Sequence, residues 1–131
     1  MGYNIFNIMN ITKEINLYLE PGKKQAQIFK VLAHPARLSI LEILREGEHC
    51  VCHIEACLGY RQAYISQQLM VLRDAGLIQD RRDGLNVFYQ VINPDIYPII
   101  DAARSMLNIP DFTLPQKGGM ICSCPKCSGD A

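Results

Sequence analysis

Six cysteines lie in two clusters of this 131-residue chain, and their spacing is its most informative chemical feature. Cys50 and Cys52 are separated by one valine, at the predicted start of a short helix over residues 51–58. Soft metal ions prefer thiolate ligands, and the N-terminus of a helix favours the thiolate form. The alternative is that both cysteines are small buried residues. We expect this pair to form the core of a metal or metalloid site.

The second cluster lies near the C-terminus, in a segment interrupted by several prolines and glycines. We predict a flexible tail over residues 108–131, in which a Cys-x-Cys-x-x-Cys run has little packing role and is better suited to binding a metal ion. Three thiolates suit As(III), Sb(III), Pb(II) or Bi(III), and four suit Cd(II) or Zn(II). We expect the tail to supply at least one sulfur to the site, from Cys122, Cys124 or Cys127.

Four other potential ligands are weaker candidates. Cys57 is expected to be buried and structural, because it lies next to the residues that end the short helix. His49 and His53 flank the cysteine pair and are expected to face solvent, whereas His34 is expected to cap or pack against a helix. No organic cofactor is expected.

A predicted helix over residues 62–75 has a polar face that suits the recognition of DNA bases. Its apolar stripe is formed by Ile65, Leu69 and Leu72. A helix in the major groove needs such a stripe for packing, and polar or basic groups on its outer face near the N-terminus. Gln pairs bidentately with adenine and Arg with guanine. The alternative is that the polar face of this helix is an ordinary solvent-exposed surface without a DNA-binding role. The expected outward, DNA-contacting residues are Arg61, Gln62, Tyr64, Ser66, Gln67 and Gln68.

The periodicity changes after Gly76 from helical spacing to the pattern of a β-hairpin. Strands over residues 78–82 and 86–91 flank Asp83-Gly84, a dipeptide typical of a tight turn whose two central residues need positive φ. Arg81 and Arg82 directly precede this turn. A hairpin of this kind can contact the phosphates beside the groove, so both arginines are expected to bind DNA.

Helical spacing of apolar residues also predicts elements before and after this region. A first helix is expected to end at Pro21-Gly22, and a second run covers residues 23–32. A third helix begins at Pro35 and is closed by Gly47, and a last one covers residues 94–107. The order of elements predicts a mainly α winged helix-turn-helix domain with a β-hairpin wing over residues 1–107.

The first and last helices have apolar stripes that such a small core cannot fully bury, so we expect a homodimer. The two stripes are Ile8, Ile11 and Ile15 on the first helix, and Ile96, Ile99 and Ala103 on the last.

Composition limits the class of protein. Hydrophobic residues make up 49% of the chain, which excludes a fully disordered protein, and the formal net charge is +0. DNA binding must therefore depend on a local patch rather than on overall charge. Neither a secretory signal nor the roughly 20 apolar residues of a membrane helix are found, so we expect a cytoplasmic protein without a membrane partner. In that reducing compartment, clustered cysteines favour metal binding or redox chemistry over structural disulfides.

Two stretches resemble the ArsR/SmtB family of repressors. They are residues 31–41, VLAHPARLSIL, and residues 63–78, AYISQQLMVLRDAGLI, and the resemblance extends over about residues 24–107. It implies a homodimeric winged helix-turn-helix repressor that binds palindromic operator DNA and dissociates when an inducer binds. Cys50-Val51-Cys52 matches the Cys-Val-Cys signature of arsenic-, cadmium- and lead-responsive members. Gln67 and Gln68 stand where the family often has Arg and His.

The predicted function is that of a transcriptional repressor that leaves double-stranded operator DNA when cysteine thiolates bind a soft metal or metalloid ion. Arsenite is favoured, and Cd(II), Pb(II) and Sb(III) are alternatives. A second hypothesis is a thiol-redox or persulfide-responsive repressor of the same fold, in which two cysteines form a disulfide. An enzyme is not expected, because thiol enzymes place an activated cysteine in a phosphate-type loop or in a Cys-x-x-Cys that follows a strand.

Overall fold

The protein is described by a computed structural model that covers residues 5–110, with side chains described from residue 19 onward. The predicted tail, residues 108–131, lies almost wholly outside this range and stays a prediction. In chain order the elements are α1 (Ile5–Leu32), α2 (Pro35–Leu44), β1 (His49–Cys50), α3 (Val51–Leu58), α4 (Gln62–Asp74), β2 (Ile78–Asp83), β3 (Asn86–Val91) and α5 (Ile96–Met106). The expected mainly α architecture with one β-hairpin is confirmed.

The larger of two buried clusters consists of aliphatic side chains, most of them from α2, α3, α4 and α5. Ile65, Leu69 and Leu72 of α4 are fully buried in it, which confirms the apolar stripe predicted for that helix. Ile54 of α3 and Ile40 of α2 are buried beside them. Burial of each such side chain contributes about 1.5–3 kcal/mol, so this cluster fixes how α4 is presented to solvent.

Helix α1 continues through Pro21 for 28 residues, so the prediction of two helices separated at Pro21-Gly22 is wrong. The fixed φ of proline lies close to the helical value, so the helix continues through Pro21 at the cost of one backbone hydrogen bond and a steric conflict with the preceding turn, about 3 kcal/mol. At 1.5 Å per residue the helix is about 42 Å long. The side chains of the predicted stripe on this helix, Ile8, Ile11 and Ile15, lie outside the described ones.

Helix α5 is held against α2 by a network of ion pairs. Glu42 of α2 accepts hydrogen bonds from Arg45 at 2.7 Å, and Arg104 of α5 lies 3.1 Å from the same carboxylate. Arg45 also donates two hydrogen bonds to Asp101, at 2.7 and 3.0 Å. The hydrogen bonds from Arg45 lower the pKa of Asp101. The ion pair therefore stabilises the fold at neutral pH, and this stabilisation is lost as the pH falls through the lowered pKa of Asp101.

A tyrosine adds a second link between the same two helices. The hydroxyl of Tyr97 donates to the carbonyl oxygen of Leu41 at 2.7 Å, and the guanidinium of Arg45 lies 4.3 Å from the centre of its ring. Burial raises the pKa of Tyr97 to about 12, so the hydroxyl remains a donor over the physiological range.

The apolar stripe predicted on α5 is divided between the core and the surface. Ile96 is 2% exposed and belongs to the core, so its assignment to a dimer face is wrong. Ile99 and Ala103 are exposed as expected. Two further apolar side chains at the end of the helix are also exposed, Met106 by 77% and Leu107 by 63%.

The three strands form one antiparallel sheet in the order β1-β3-β2. Asp83 pairs with Asn86, so the loop of the hairpin is Gly84-Leu85, one residue later than the predicted Asp83-Gly84 turn. Gly84 has φ +62°, which fits the first position of a two-residue hairpin loop where glycine is favoured. We call the β2–β3 hairpin the wing; its tip carries the fully exposed Leu85.

None of the helices among the described residues combines the length and the apolar character that crossing a membrane requires.

The α2–α5 network predicts a specific loss of stability. Replacement of Glu42 by Ala leaves two arginines without their shared acceptor, so the free energy of unfolding should fall by about 1–3 kcal/mol. Urea denaturation followed by circular dichroism measures this change. The matched control is Glu46→Ala, which removes an exposed carboxylate one turn later and should change stability by less than about 0.5 kcal/mol. Equal stability of the two variants would contradict the network.

Candidate functional site

Helices α3 and α4 form a helix-turn-helix whose outer face is polar. Helix α3 ends at Gly59, which caps it with φ +73°, a left-handed conformation that favours glycine, and α4 begins at Gln62. Because α4 buries its aliphatic stripe, the residues on the other side of its first two turns point to solvent. The exposed residues of the predicted set are Arg61, Gln62, Ser66 and Gln67.

Gln68 does not face outward, and the prediction that it does is wrong. It is 7% exposed, and its Oε1 accepts a hydrogen bond from Nε of Arg37 at 2.8 Å. Helical spacing explains this, because Gln68 lies three residues after Ile65 and four before Leu72, on the buried side of α4. Arg37 also donates to the carbonyl oxygen of Val31 at 3.1 Å. These two side chains therefore link the end of α1, α2 and α4.

Tyr64 lies at the edge of the outer face and is half-buried. Its hydroxyl oxygen is 3.4 Å from Nε2 of His34, and its ring centre is 5.1 Å from that of Tyr60. His34 is the N-cap residue of α2 and packs against this tyrosine, as expected for a capping or packing role.

The two arginines of the wing have different surroundings. Arg82 is exposed on β2, where it can reach a phosphate. Arg81 instead donates two hydrogen bonds to the carboxylate of Glu48, with Nε 3.1 Å from Oε2. The hydrogen bond with Glu48 raises the pKa of Arg81, whose guanidinium stays charged at any physiological pH. Adjacent residues of a strand face opposite sides of the sheet, so the two arginines cannot contact the same surface.

Cys50 and Cys52 are brought together at the junction of β1 and α3. Cys50 is 2% exposed and is the N-cap residue of α3, where its Sγ accepts a hydrogen bond from the backbone N–H of His53 at 3.3 Å. Cys52 lies in the first turn, half-buried. The sulfur atoms of the two residues are joined in a disulfide, with Cα atoms 5.4 Å apart. The two sulfurs thus lie at one point as a bonded pair, whereas the sequence favoured metal-binding or redox-active thiols over a structural disulfide, and the predicted metal site stays a prediction.

The neighbouring histidines and cysteine pack along α3. The rings of His49 and His53 are stacked with centres 4.2 Å apart, and both residues are half-buried, so they face solvent only in part. Cys57 keeps a thiol, 3.5 Å from Nε2 of His53, and packs against the core. Among the side chains that the structure describes, those of residues 19–110, no three of the kind that bind metals are grouped around one point. Cys122, Cys124 and Cys127 lie outside the described residues.

Sequence analysis missed two residues that organise these surfaces. Glu48 binds the wing arginine and Arg37 binds the buried glutamine of α4. Helical spacing places Gln68 on the buried side of α4, and the sequence has a carboxylate, Glu48, two residues before Cys50. Their partners lie 33 and 31 residues away along the chain, which periodicity does not reveal.

This arrangement of a supporting helix, an exposed polar helix and an antiparallel wing defines a winged helix-turn-helix DNA-binding protein. Comparisons with known proteins agree with that class. Residues 34–80 match the family model described as bacterial regulatory protein, arsR family.

Relatives extend the match beyond those residues. The uncharacterized HTH-type transcriptional regulator Rv0081 of Mycobacterium tuberculosis is 43% identical over 86 residues, 65% of this chain and 75% of that protein. Its crystal structure has a TM-score of 0.60 at 42% identity and covers 66% of this chain and 87% of that one. The arsenic resistance transcriptional regulator ArsR1 of Pseudomonas putida is 43% identical over 77 residues, 57% of this chain and 59% of that protein.

A solution NMR structure adds a more distant neighbour. The homodimeric winged helix-turn-helix DNA-binding domain Mb0332 from Mycobacterium bovis has a TM-score of 0.59 at 25% identity and covers 73% of this chain and 94% of that one. The chain belongs to the ArsR family of bacterial regulatory proteins. It is an ArsR/SmtB-family transcriptional repressor and not an enzyme.

The two adjacent glutamines of α4 should respond differently to substitution. Gln68→Ala leaves Nε of Arg37 without its acceptor and should lower the free energy of unfolding by about 1–3 kcal/mol. Gln67→Ala should leave stability within about 0.5 kcal/mol and lower discrimination between operator sequences by about 1–3 kcal/mol. Urea denaturation and competition binding with altered operators measure the two effects. A Gln68→Ala variant that keeps its stability but loses discrimination would contradict the buried position.

Proposed function

We propose that the protein binds an inverted-repeat operator as a homodimer, with the exposed face of α4 in the major groove and the wing beside it. Arg61, Gln62 and Gln67 are the exposed side chains with the chemistry to contact base edges, and Ser66 can bind base or backbone. Arg82 of the wing contacts phosphate. Half-sites one helical turn apart, roughly 34–36 Å, suit such a dimer.

The support for a dimer comes from α5. Ile99, Met106 and Leu107 are exposed apolar side chains on or just after this helix, and an apolar patch of this kind is typical of an interface. A structural neighbour, Mb0332, is described as homodimeric. We therefore expect two α5 helices, together with the α1 helices, to pack around a two-fold axis.

We further propose that a soft metal or metalloid ion, with arsenite favoured over Sb(III), Cd(II) and Pb(II), is the inducer. The single observation that carries this proposal is the convergence of Cys50 and Cys52 at the N-terminus of α3. Once reduced, the two thiolates fit a thiophilic ion, and such an ion would draw the sulfurs and a third ligand to one centre. A relative of similar sequence is named as an arsenic resistance regulator.

The third donor is expected from Cys122, Cys124 or Cys127, because the described residues offer no group of three metal-binding side chains. The position of Cys50 suggests how binding opposes DNA. Cys50 caps α3, and α3 packs directly on α4 through Ile54 and Ile65. A ligand that pulls the cap toward the tail shifts the support of α4, so inducer and operator should weaken each other by about 1–3 kcal/mol.

A second function, a thiol-redox or persulfide-responsive repressor, is favoured by the disulfide between the same two residues. In that case an oxidant takes two electrons from the two thiols, two protons are released and one S–S bond forms. Titration of DNA release with arsenite under reducing conditions, and separately with an oxidant in the absence of metals, distinguishes the two signals.

The wing assignment can be tested by neutralising one arginine. Arg82→Gln should weaken binding to all DNA sequences and should reduce the slope of log affinity against log salt by about 0.9 in the protomer, the value for one lost phosphate contact. Fluorescence anisotropy at several salt concentrations measures both quantities. The matched control is Arg73→Gln at the C-terminal end of α4, which removes the same charge away from the groove-facing turns and breaks only a 3.8 Å ion pair with Asp80. Unchanged affinity and slope for Arg82→Gln would contradict the wing contact.

The inducer site can be tested by replacing its sulfurs one at a time. Cys50→Ser and Cys52→Ser should keep operator binding but abolish release by arsenite, since serine still caps a helix yet is a poor ligand for soft ions. Removal of residues 119–131 should weaken arsenite binding, and Cys57→Ser should respond like the wild type. Arsenite binding is followed by its sulfur charge-transfer absorbance and DNA release by anisotropy. Release of the Cys52→Ser variant at wild-type arsenite concentrations would contradict the site.

A further inference from the structure

Three side chains form a row across the sheet that leads from the cysteine pair to the wing. Cys50 of β1 lies opposite Phe88 of β3, and Phe88 lies opposite Arg81 of β2. Directly opposed residues of antiparallel strands project from the same face, so the three side chains are neighbours on one side of the sheet. Cys50 and Phe88 are buried together there, and Cys52 packs against both.

Glu48 closes this row from the other side. It lies two residues before Cys50, next to β1, and its side chain is 16% exposed. The guanidinium of Arg81 extends across β3, 4.8 Å from the centre of the Phe88 ring, to form two hydrogen bonds with the Glu48 carboxylate. Asp83 is a weaker neighbour, 3.7 Å from Nη1 of the same arginine. Arg81 thus spans the central strand and ties β2 to the segment that carries Cys50.

We propose that Glu48 and Arg81 form a clamp that transmits the state of the Cys50 and Cys52 site to the wing. This inference rests on the proposed function of that site and names its route to DNA. Arg81 is a positioning residue that acts through Arg82, and it does not itself contact phosphate. It therefore replaces the expectation that both arginines of the wing bind DNA.

The physical reason is that β1 has only two residues and is attached to the sheet by few contacts. A ligand or a bond that moves Sγ of Cys50 moves the adjoining backbone, and Glu48 moves with it. Because Glu48 holds Arg81 through two charge-assisted hydrogen bonds, β2 follows, and Arg82 on its opposite face changes its distance from the phosphate. Without the clamp, β3 keeps its pairing with β1 and its contact with Cys50, but β2 loses the charged link through which Arg82 would follow the cysteine state.

The test separates a clamp from a DNA contact by removing each charge with little change of shape. The variants are Glu48→Gln, Arg81→Gln and the reversed pair Glu48→Arg with Arg81→Glu, with Arg82→Gln as the matched control. For each full-length variant, operator affinity is measured by anisotropy with and without saturating arsenite, and with and without prior oxidation. Arsenite binding in the absence of DNA is measured by absorbance.

Glu48→Gln and Arg81→Gln should bind arsenite as tightly as the wild type and keep its salt slope for operator binding. The inducer lowers the operator affinity of the wild type by a certain factor, and for these two variants this factor should be at least fivefold smaller. The reversed pair should restore most of the wild-type response. Arg82→Gln should show the opposite pattern, a reduced salt slope with the inducer response retained.

Two results would overturn the clamp alone. In one, the wild type is released by arsenite or by oxidation and both single variants are released equally well. In the other, Arg81→Gln reduces the salt slope as Arg82→Gln does while Glu48→Gln has no effect, which makes Arg81 a phosphate contact. Failure of the wild type to bind arsenite and to leave DNA under either treatment would overturn the proposed function and the clamp together.

Discussion

The burial of one side of α4 is the interaction on which the other features of the molecule depend. Ile65, Leu69 and Leu72 pack against α2 and α3, and this contact decides which side chains of α4 reach solvent and at what angle. The same packing makes α4 sensitive to its support, because no aliphatic side chain can shift in a close-packed core without its neighbours. The polar face of α4 therefore keeps its orientation only while α2 and α3 keep theirs.

Cys50 lies at the junction of the sheet and the helix that supports α4. One residue ends β1, caps α3 and provides a sulfur that contacts Cys52. The backbone N–H of His53 donates to this sulfur, which thereby satisfies one of the unpaired donors at the start of α3. The residue faces two elements at once, α3 beneath α4 and β3 within the wing. Helix α4 and strand β2 are therefore each separated from Cys50 by a single element, α3 on one side and β3 on the other.

Charged side chains connect the elements that the core leaves apart. Arg37 joins the end of α1 to α4 through Gln68, Glu42 joins α2 to α5, and Glu48 joins β1 to β2. Each of these contacts lies at the edge of the core, where partial burial strengthens the interaction and exposure limits its desolvation cost. The fold therefore has a rigid aliphatic centre and adjustable polar links around it.

Local sequence determined the elements of this protein because their signals are local. The stripe of α4, the glycine cap of α3 and the adjacent cysteines could all be identified from spacing, since period and capping depend on residues within a few positions. Prediction and structure differ where the surrounding elements outweigh a local signal. Helix α1 continues through Pro21, and the hairpin loop is Gly84-Leu85 rather than Asp83-Gly84. Tertiary structure alone decided that Gln68 faces Arg37, that Ile96 belongs to the core, and that Arg81 bends over Phe88 to Glu48. The two arginine contacts join residues more than thirty positions apart, and the burial of Ile96 depends on which element packs against α5. Spacing along the chain specifies neither the long-range contacts nor the packing partner.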